Sequence, residues 1–169
     1  MTLAVKSLLL IAVLGLAGCN NPDRYGTGGP GGDTGIDTTG LGDPNNPGSI
    51  AYFNQRVGDR VLFQVDQSTL TPEARSVLTA QAQWLLSNPG YAAIIEGHAD
   101  EQGTREYNLA LGARRAAAVQ NFLISQGVPA SRMQTTSYGK EKPLEVCSAE
   151  ACYAKNRRAM TVLSAGAGV

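Results

Sequence analysis

Three groups of polar side chains in this sequence have the types and spacing that chemistry asks for. The first is Glu96-Gly97-His98-Ala99-Asp100-Glu101, in which Glu96, His98 and Asp100 share one face if a strand runs through them. Such a set could hold a metal ion, or it could pair histidine with a carboxylate as a general base. The chain carries a single histidine, however, and a His/Asp pair needs a nucleophile or an activated water to act on. No Gly-x-Ser-x-Gly elbow is present to supply that nucleophile. A hydrolase would therefore lack its machinery, and a histidine hydrogen-bonded at a strand end is the simpler reading. No catalytic residue, metal or cofactor is expected.

The second group is one residue, Arg115. It lies four positions after Leu111 and four before Val119, so it falls on the apolar stripe of a helix. An unpaired buried charge is costly, so this arginine must either find a partner or snorkel out at the rim. The third group is Asn156-Arg157-Arg158, which is either solvated surface or one wall of a cleft. A carboxylate at a sheet end with arginines nearby would suit a zwitterion. Arginine grips a carboxylate with two parallel bonds, and aspartate accepts from an ammonium. That chemistry is binding, with no bond made or broken.

The elements that would position these groups follow from patterning. Val61 to Val65 is a short β-prone run. Thr71-Pro72-Glu73 supplies a cap, a proline at the first helical position and an acid in the first turn. The helix that follows carries Val77, Leu78, Gln81, Trp84 and Leu85 at helical spacing and stops at Asn88-Pro89-Gly90. Tyr91 to Glu96 is a second strand. A second helix starts near Thr104, with Tyr107, Leu111, Ala118, Val119, Phe122 and Leu123 as its buried stripe, and ends before Gly127 and Pro129. Met133 to Tyr138 is a third strand, Ala149 to Lys155 a short helix, and Arg158 to Leu163 a fourth strand. This β-α-β-α-β-(α)-β order predicts an α/β domain, an α+β sandwich with helices packed on a mixed four-stranded sheet.

The ends of the chain read differently. Residues 1–18 carry Lys6, an apolar stretch from Leu8 to Leu16 and small residues before Cys19. This is a signal segment to be removed, since its apolar run is about half the ~20 residues that cross a bilayer. Leu16-Ala17-Gly18-Cys19 resembles a lipobox, which implies lipid on Cys19; the alternative is plain secretory cleavage with a free cysteine. Asn20 is not the aspartate that resembles a retention signal for the inner membrane, so the outer membrane is the expected address. Residues 19–50, from the lipidated cysteine onward, form a tether, since residues 20–50 hold nine glycines and four prolines. They bury too little to offset their ordering entropy and would span roughly 30 Å. The globular domain is expected at 51–169, facing the periplasm.

Three cysteines are an odd count for a secreted chain. Assigning Cys19 to lipid leaves Cys147 and Cys152, expected to form a disulfide in an oxidising periplasm, with free thiols as the alternative. Fourteen basic and fourteen acidic residues give no net charge, so the excess of positive charge that nucleic acid recruits is missing.

Four separated stretches carry a family resemblance. They are Glu96 to Thr104, Glu106-Tyr107-Asn108 with Leu111-Gly112 and Arg115-Ala116, Ser137 to Pro143, and Tyr153 with Lys155 to Ala159. Together they are similar to the OmpA-like C-terminal domain family, and within it to its lipid-anchored, wall-binding members. The resemblance covers about residues 57–165. It implies non-covalent binding of the peptidoglycan stem peptide through meso-diaminopimelate, with Asp100 on the ammonium and Arg115 on the carboxylate. Phe63, Asn108, Leu111 and Arg158 would complete that site. It also implies a protein partner, TolB, and a place in the Tol–Pal system of envelope integrity and cell division. A wall-binding lipoprotein outside the Tol system is the alternative. One departure is Phe63-Gln64-Val65-Asp66, where the family often carries a Phe-Asp-Phe-Asp-like run.

Overall fold

The structure is a computed structural model that describes residues 41–165. The signal segment, Cys19 and the tether up to residue 40 lie outside the described residues, as do the last four positions.

A short helix, α1 (Ile50–Tyr52), is capped by Ser49 and continues as one π-helical stretch over Phe53–Gly58. Then come β1 (Arg60–Leu62), α2 (Pro72–Ser87), β2 (Tyr91–His98) and α3 (Arg105–Ser125). A 3-10 turn (Ala130–Arg132) leads into β3 (Met133–Gly139), followed by α4 (Glu150–Asn156) and β4 (Arg158–Ala165). The sheet order is β1-β4-β2-β3, with β4 antiparallel to both β1 and β2, and β2 parallel to β3. The fold is thus the mixed four-stranded α+β arrangement that the element order predicts. The parallel β2–β3 pair requires a crossover, and α3 supplies it.

Local chemistry explains the helix starts. Thr71 accepts from the Ala74 N–H with Pro72 behind it, and Thr104 accepts from the Tyr107 N–H. The core lies between one sheet face and α2 and α3, built on Phe53, Val61, Phe63, Leu78, Trp84, Leu85, Ile95, Val119 and Leu123. Each large apolar side chain buried there contributes roughly 1.5–3 kcal/mol. Gln81, polar but on the apolar stripe of α2, is buried with both ends satisfied. Its amide donates to the Gly58 carbonyl at 2.7 Å and its oxygen accepts from Thr161 at 2.8 Å. On α3 the buried face is Asn108, Leu111, Gly112, Arg115, Ala116, Val119 and Leu123. Tyr107, expected on that face, is exposed instead.

The second and fourth strands each run two residues past their expected ends, and two further boundaries differ in ways that bear on the site. The β1 ladder stops at Leu62, because Phe63 leaves it to exchange hydrogen bonds with Arg157. The ordered domain also begins before residue 51. The Trp84 indole donates to the Pro47 carbonyl at 2.7 Å and the Tyr91 hydroxyl to the Gly48 carbonyl at 2.9 Å. The last residues of the expected tether are therefore bound to α2 and β2.

The crossing of α3 over β2 is set by two glycines. A Cβ on Gly97 would overlap the Gly112 carbonyl oxygen, and one on Gly112 would overlap the Ser137 hydroxyl. Only bare backbone lets helix and strand approach this closely, and the contact fixes where Arg115 enters the molecule.

Candidate functional site

The C-terminal end of β2 runs directly into the loop Ala99-Asp100-Glu101-Gln102-Gly103. This loop is fastened from several sides. The Ala99 N–H donates to the Gly139 carbonyl at 2.8 Å, and Asn108 Nδ2 donates to the Gln102 carbonyl at 2.7 Å. Lys140 Nζ donates to the Gly103 carbonyl at 2.7 Å, and Asn156 Nδ2 to Glu101 Oε1 at 2.6 Å. Asp100 therefore sits on a fixed support. Its Oδ2 accepts from Arg157 Nη1 at 3.1 Å and its Oδ1 from the Gln102 N–H at 3.3 Å.

Asp100 opens into a cleft of about 240 Å³ lined by Val65, Asp66, Asp100, Gln102, Gly103 and Tyr107. Asp66 holds a left-handed backbone (φ 54°), tolerable for a short polar residue, and its carboxylate accepts from the Tyr107 hydroxyl at 3.4 Å. The cleft thus presents two carboxylates, an amide, a phenol and one apolar side chain. Its carboxylates can accept hydrogen bonds from a cationic or ammonium group.

Arg115 lies fully buried behind this loop. The sequence leaves open whether it snorkels or awaits a partner, and the structure gives a third answer. Nε donates to the Gln67 carbonyl at 2.8 Å, Nη1 to the His98 carbonyl at 2.8 Å and Nη2 to the Gln64 carbonyl at 3.1 Å. The Phe63 ring lies 5.2 Å from the guanidinium carbon. Burial pushes the pKa down to about 10, partly offset by Asp100, so the group keeps its charge at neutral pH. Its three bonds use three of the five guanidinium N–H groups. Arg115 ties together the loop after β1 and the end of β2, which are the two walls of the cleft.

The remaining residues expected at the site support the cleft rather than line it. Phe63 and Leu111 are core side chains, and Asn108 is buried on the Gln102 carbonyl. Arg158 lies farthest from its expected place. It is buried beside the Lys142 and Asn156 carbonyls and the Met160 sulfur, while Arg157 reaches Asp100. Adjacent residues entering a strand point to opposite faces, so only one arginine of the pair could serve the cleft. That alternation was the available signal for Arg157. Asp66 and Tyr107 also line the cleft, although only the family resemblance, and no local pattern, drew attention to them.

Arg157 is gripped from the far side by Glu150 as well. Burial lowers its pKa, but hydrogen bonds to Glu150 and Asp100 outweigh this and raise it, while Arg157 lowers that of Glu150. Glu150 lies within the ring closed by Cys147 and Cys152, which are joined as a disulfide with Cα atoms 5.9 Å apart.

His98 is also not the hydrogen-bonded histidine of the sequence reading. It is buried and stacked 5.5 Å from Tyr138, neither ring nitrogen has a hydrogen-bond partner among the described residues, and Glu96 Oε2 stands 3.7 Å away. Burial, with Arg158 and Lys142 nearby, pushes its pKa down to about 4. Among the described residues no three His, Cys, Asp or Glu side chains are grouped to hold a metal ion.

Comparison with known proteins agrees with this architecture. The family model described as OmpA family matches residues 62–157. A peptidoglycan-associated lipoprotein of Agrobacterium fabrum is 51% identical, over 96% of this chain and 88% of its own length. The crystal structure of the peptidoglycan-associated lipoprotein from Burkholderia pseudomallei superposes with a TM-score of 0.64 at 40% identity, over 72% of this chain and all of that one. The C-terminal domain of Helicobacter pylori MotB shares the fold at a TM-score of 0.60 and 21% identity, covering 64% of this chain and 86% of its own. The chain belongs to the OmpA family and, within it, to the peptidoglycan-associated lipoproteins.

Proposed function

We propose that this protein is anchored in the outer membrane by lipid on Cys19 and holds the peptidoglycan stem peptide without covalent chemistry. The observation that carries the reading is Asp100. It is a nearly buried carboxylate at the base of a cleft, with Arg157 on one oxygen and further acceptor capacity on both. The ammonium of meso-diaminopimelate would enter there, and Asp66 and Tyr107 would lie beside it. The ligand carboxylate would take N–H groups of Arg115 released as the loop at residues 64–67, which supplies two of its three carbonyl partners, shifts aside. The names of the relatives support the peptidoglycan half of this reading.

We extend the proposal to a complex with TolB and a role in the Tol–Pal system, joining outer membrane to wall during division. Sedimentation of detergent-solubilised full-length protein with isolated peptidoglycan tests the first part. Wild type should pellet and Asp100→Ala should not; equal pelleting of both would sink the assignment of the cleft. Capture of TolB by the same protein tests the second part.

A further inference from the structure

Arg157 is the cation nearest to Asp100, and left alone it would cancel the charge that an ammonium ligand needs. A guanidinium can cover both oxygens of one carboxylate with two parallel bonds. Asp100 is not held in that way here. Glu150 takes both Nη atoms, Nη2 closely and Nη1 at 3.5 Å, so that Asp100 shares only Nη1, at 3.1 Å. Glu150 thus keeps one arm of Arg157 away from Asp100 and leaves the trio with one net negative charge. The side chain of Glu150 is two-thirds exposed and touches neither the cleft nor the core, so packing gives it no other task.

The disulfide encloses Glu150. Cys147 precedes α4 and Cys152 lies in its first turn, so the bridge closes Ser148-Ala149-Glu150-Ala151 into a small ring. The stretch before the ring is pinned as well, since Asn156 Oδ1 accepts from the Leu144 and Glu145 N–H groups at 2.7 and 3.1 Å.

We infer that Glu150 is a positioning residue for the wall ligand: held by the Cys147–Cys152 ring, it draws Arg157 off Asp100 and so raises the affinity of the cleft for an ammonium group. The inference rests on the assignment of Asp100 to the wall ligand. It makes the disulfide a part of binding rather than only a staple, because opening the ring releases Glu150.

The test is a series of sedimentation isotherms of the detergent-solubilised full-length protein on isolated peptidoglycan. Glu150→Gln should weaken binding about fivefold at low salt, the upper range for an exposed charge pair. The deficit should shrink toward none at about 0.5 M salt, where screening acts within a few ångströms. Purely structural damage would persist at every ionic strength. The double variant Cys147→Ser with Cys152→Ser should show the same loss, and adding Glu150→Gln to it should cost nothing more. Wild-type binding by Glu150→Gln, a deficit indifferent to salt, or fully additive losses would each overturn the inference. Loss in Asp100→Ala with no change in Glu150→Gln overturns the inference alone. Unchanged binding by Asp100→Ala removes the site and the inference with it.

Discussion

Arg115 donates through Nη1 to the carbonyl oxygen of His98 at 2.8 Å, so a charge buried on α3 is fastened to the last residue of β2. The bond places the guanidinium two residues from Asp100 in the chain. It also makes Arg115 part of the frame that the cleft depends on, and this changes what substitution there will do.

Arg115→Ala is expected to destabilise the fold, because three carbonyl groups lose their donor in a buried setting. A buried acceptor left without its donor costs about 1–3 kcal/mol. Arg115→Lys should recover only part of this, since a point charge cannot reach three divergent carbonyls. Urea unfolding of the purified variants measures it. A midpoint equal to wild type in either variant would show that the carbonyl cage is not stabilising.

Gly97→Ala should be among the most damaging single-methyl additions in the domain. The new Cβ meets the Gly112 backbone rather than a flexible side chain, so α3 must lift from β2. Overpacking costs about 1–3 kcal/mol, and more where backbone must move. Circular-dichroism melts should show the loss, and wall binding should fall with it because Arg115 moves with α3. An unchanged melt would mean that the crossing is looser than these contacts require.

These two sites show what the sequence could and could not convey. The start of α2 was legible because Thr71-Pro72-Glu73 is local chemistry, and the start of α3 at Thr104 for the same reason. Arg115 was visible as an anomaly, since a charge on an apolar stripe breaks periodicity. Its partners were not visible, because the Gln64 and Gln67 carbonyls come from about fifty residues away. Arg157 and Arg158 could be told apart only through strand alternation, which needs the first residue of β4 to be known. Residues 41–49 read as tether because prolines and glycines bury little. Their order is imposed by Trp84 and Tyr91, donors on distant elements.

Stability should fall as pH is lowered through the range below neutrality, and His98 is the reason. Its ordinary pKa of 6.5 in the unfolded chain drops to about 4 in the folded one. Between those values the unfolded chain binds a proton that the folded one refuses, so acid favours unfolding from pH 6.5 down to about 4. Burial is the main cause, Arg158 and the Lys142 ammonium also oppose the charged ring, and the Lys142 backbone only partly offsets them. Urea midpoints at pH 7 and pH 5 should therefore differ, and His98→Phe should remove most of that difference. Equal midpoints in the wild type would show that the ring is protonated in the folded state.

The true start of the domain can be tested by trimming. A chain that begins at residue 51 loses the Pro47 and Gly48 carbonyls, leaving the Trp84 indole N–H and the Tyr91 hydroxyl to find water. It also loses Ser49, whose hydroxyl caps α1 through the Tyr52 N–H at 3.0 Å. Trp84 packs against Phe53 and Tyr91 with ring centroids 5.0 and 5.2 Å apart, so its displacement would disturb the core. Water will satisfy the exposed hydroxyl more readily than the indole, so the two losses are unequal. Together with the cap they should total about 1–3 kcal/mol. Chains starting at residues 41 and 51, compared by urea unfolding, give the answer. A lower midpoint for the shorter chain fixes the boundary before residue 47, whereas coincident curves would return residues 41–49 to the tether.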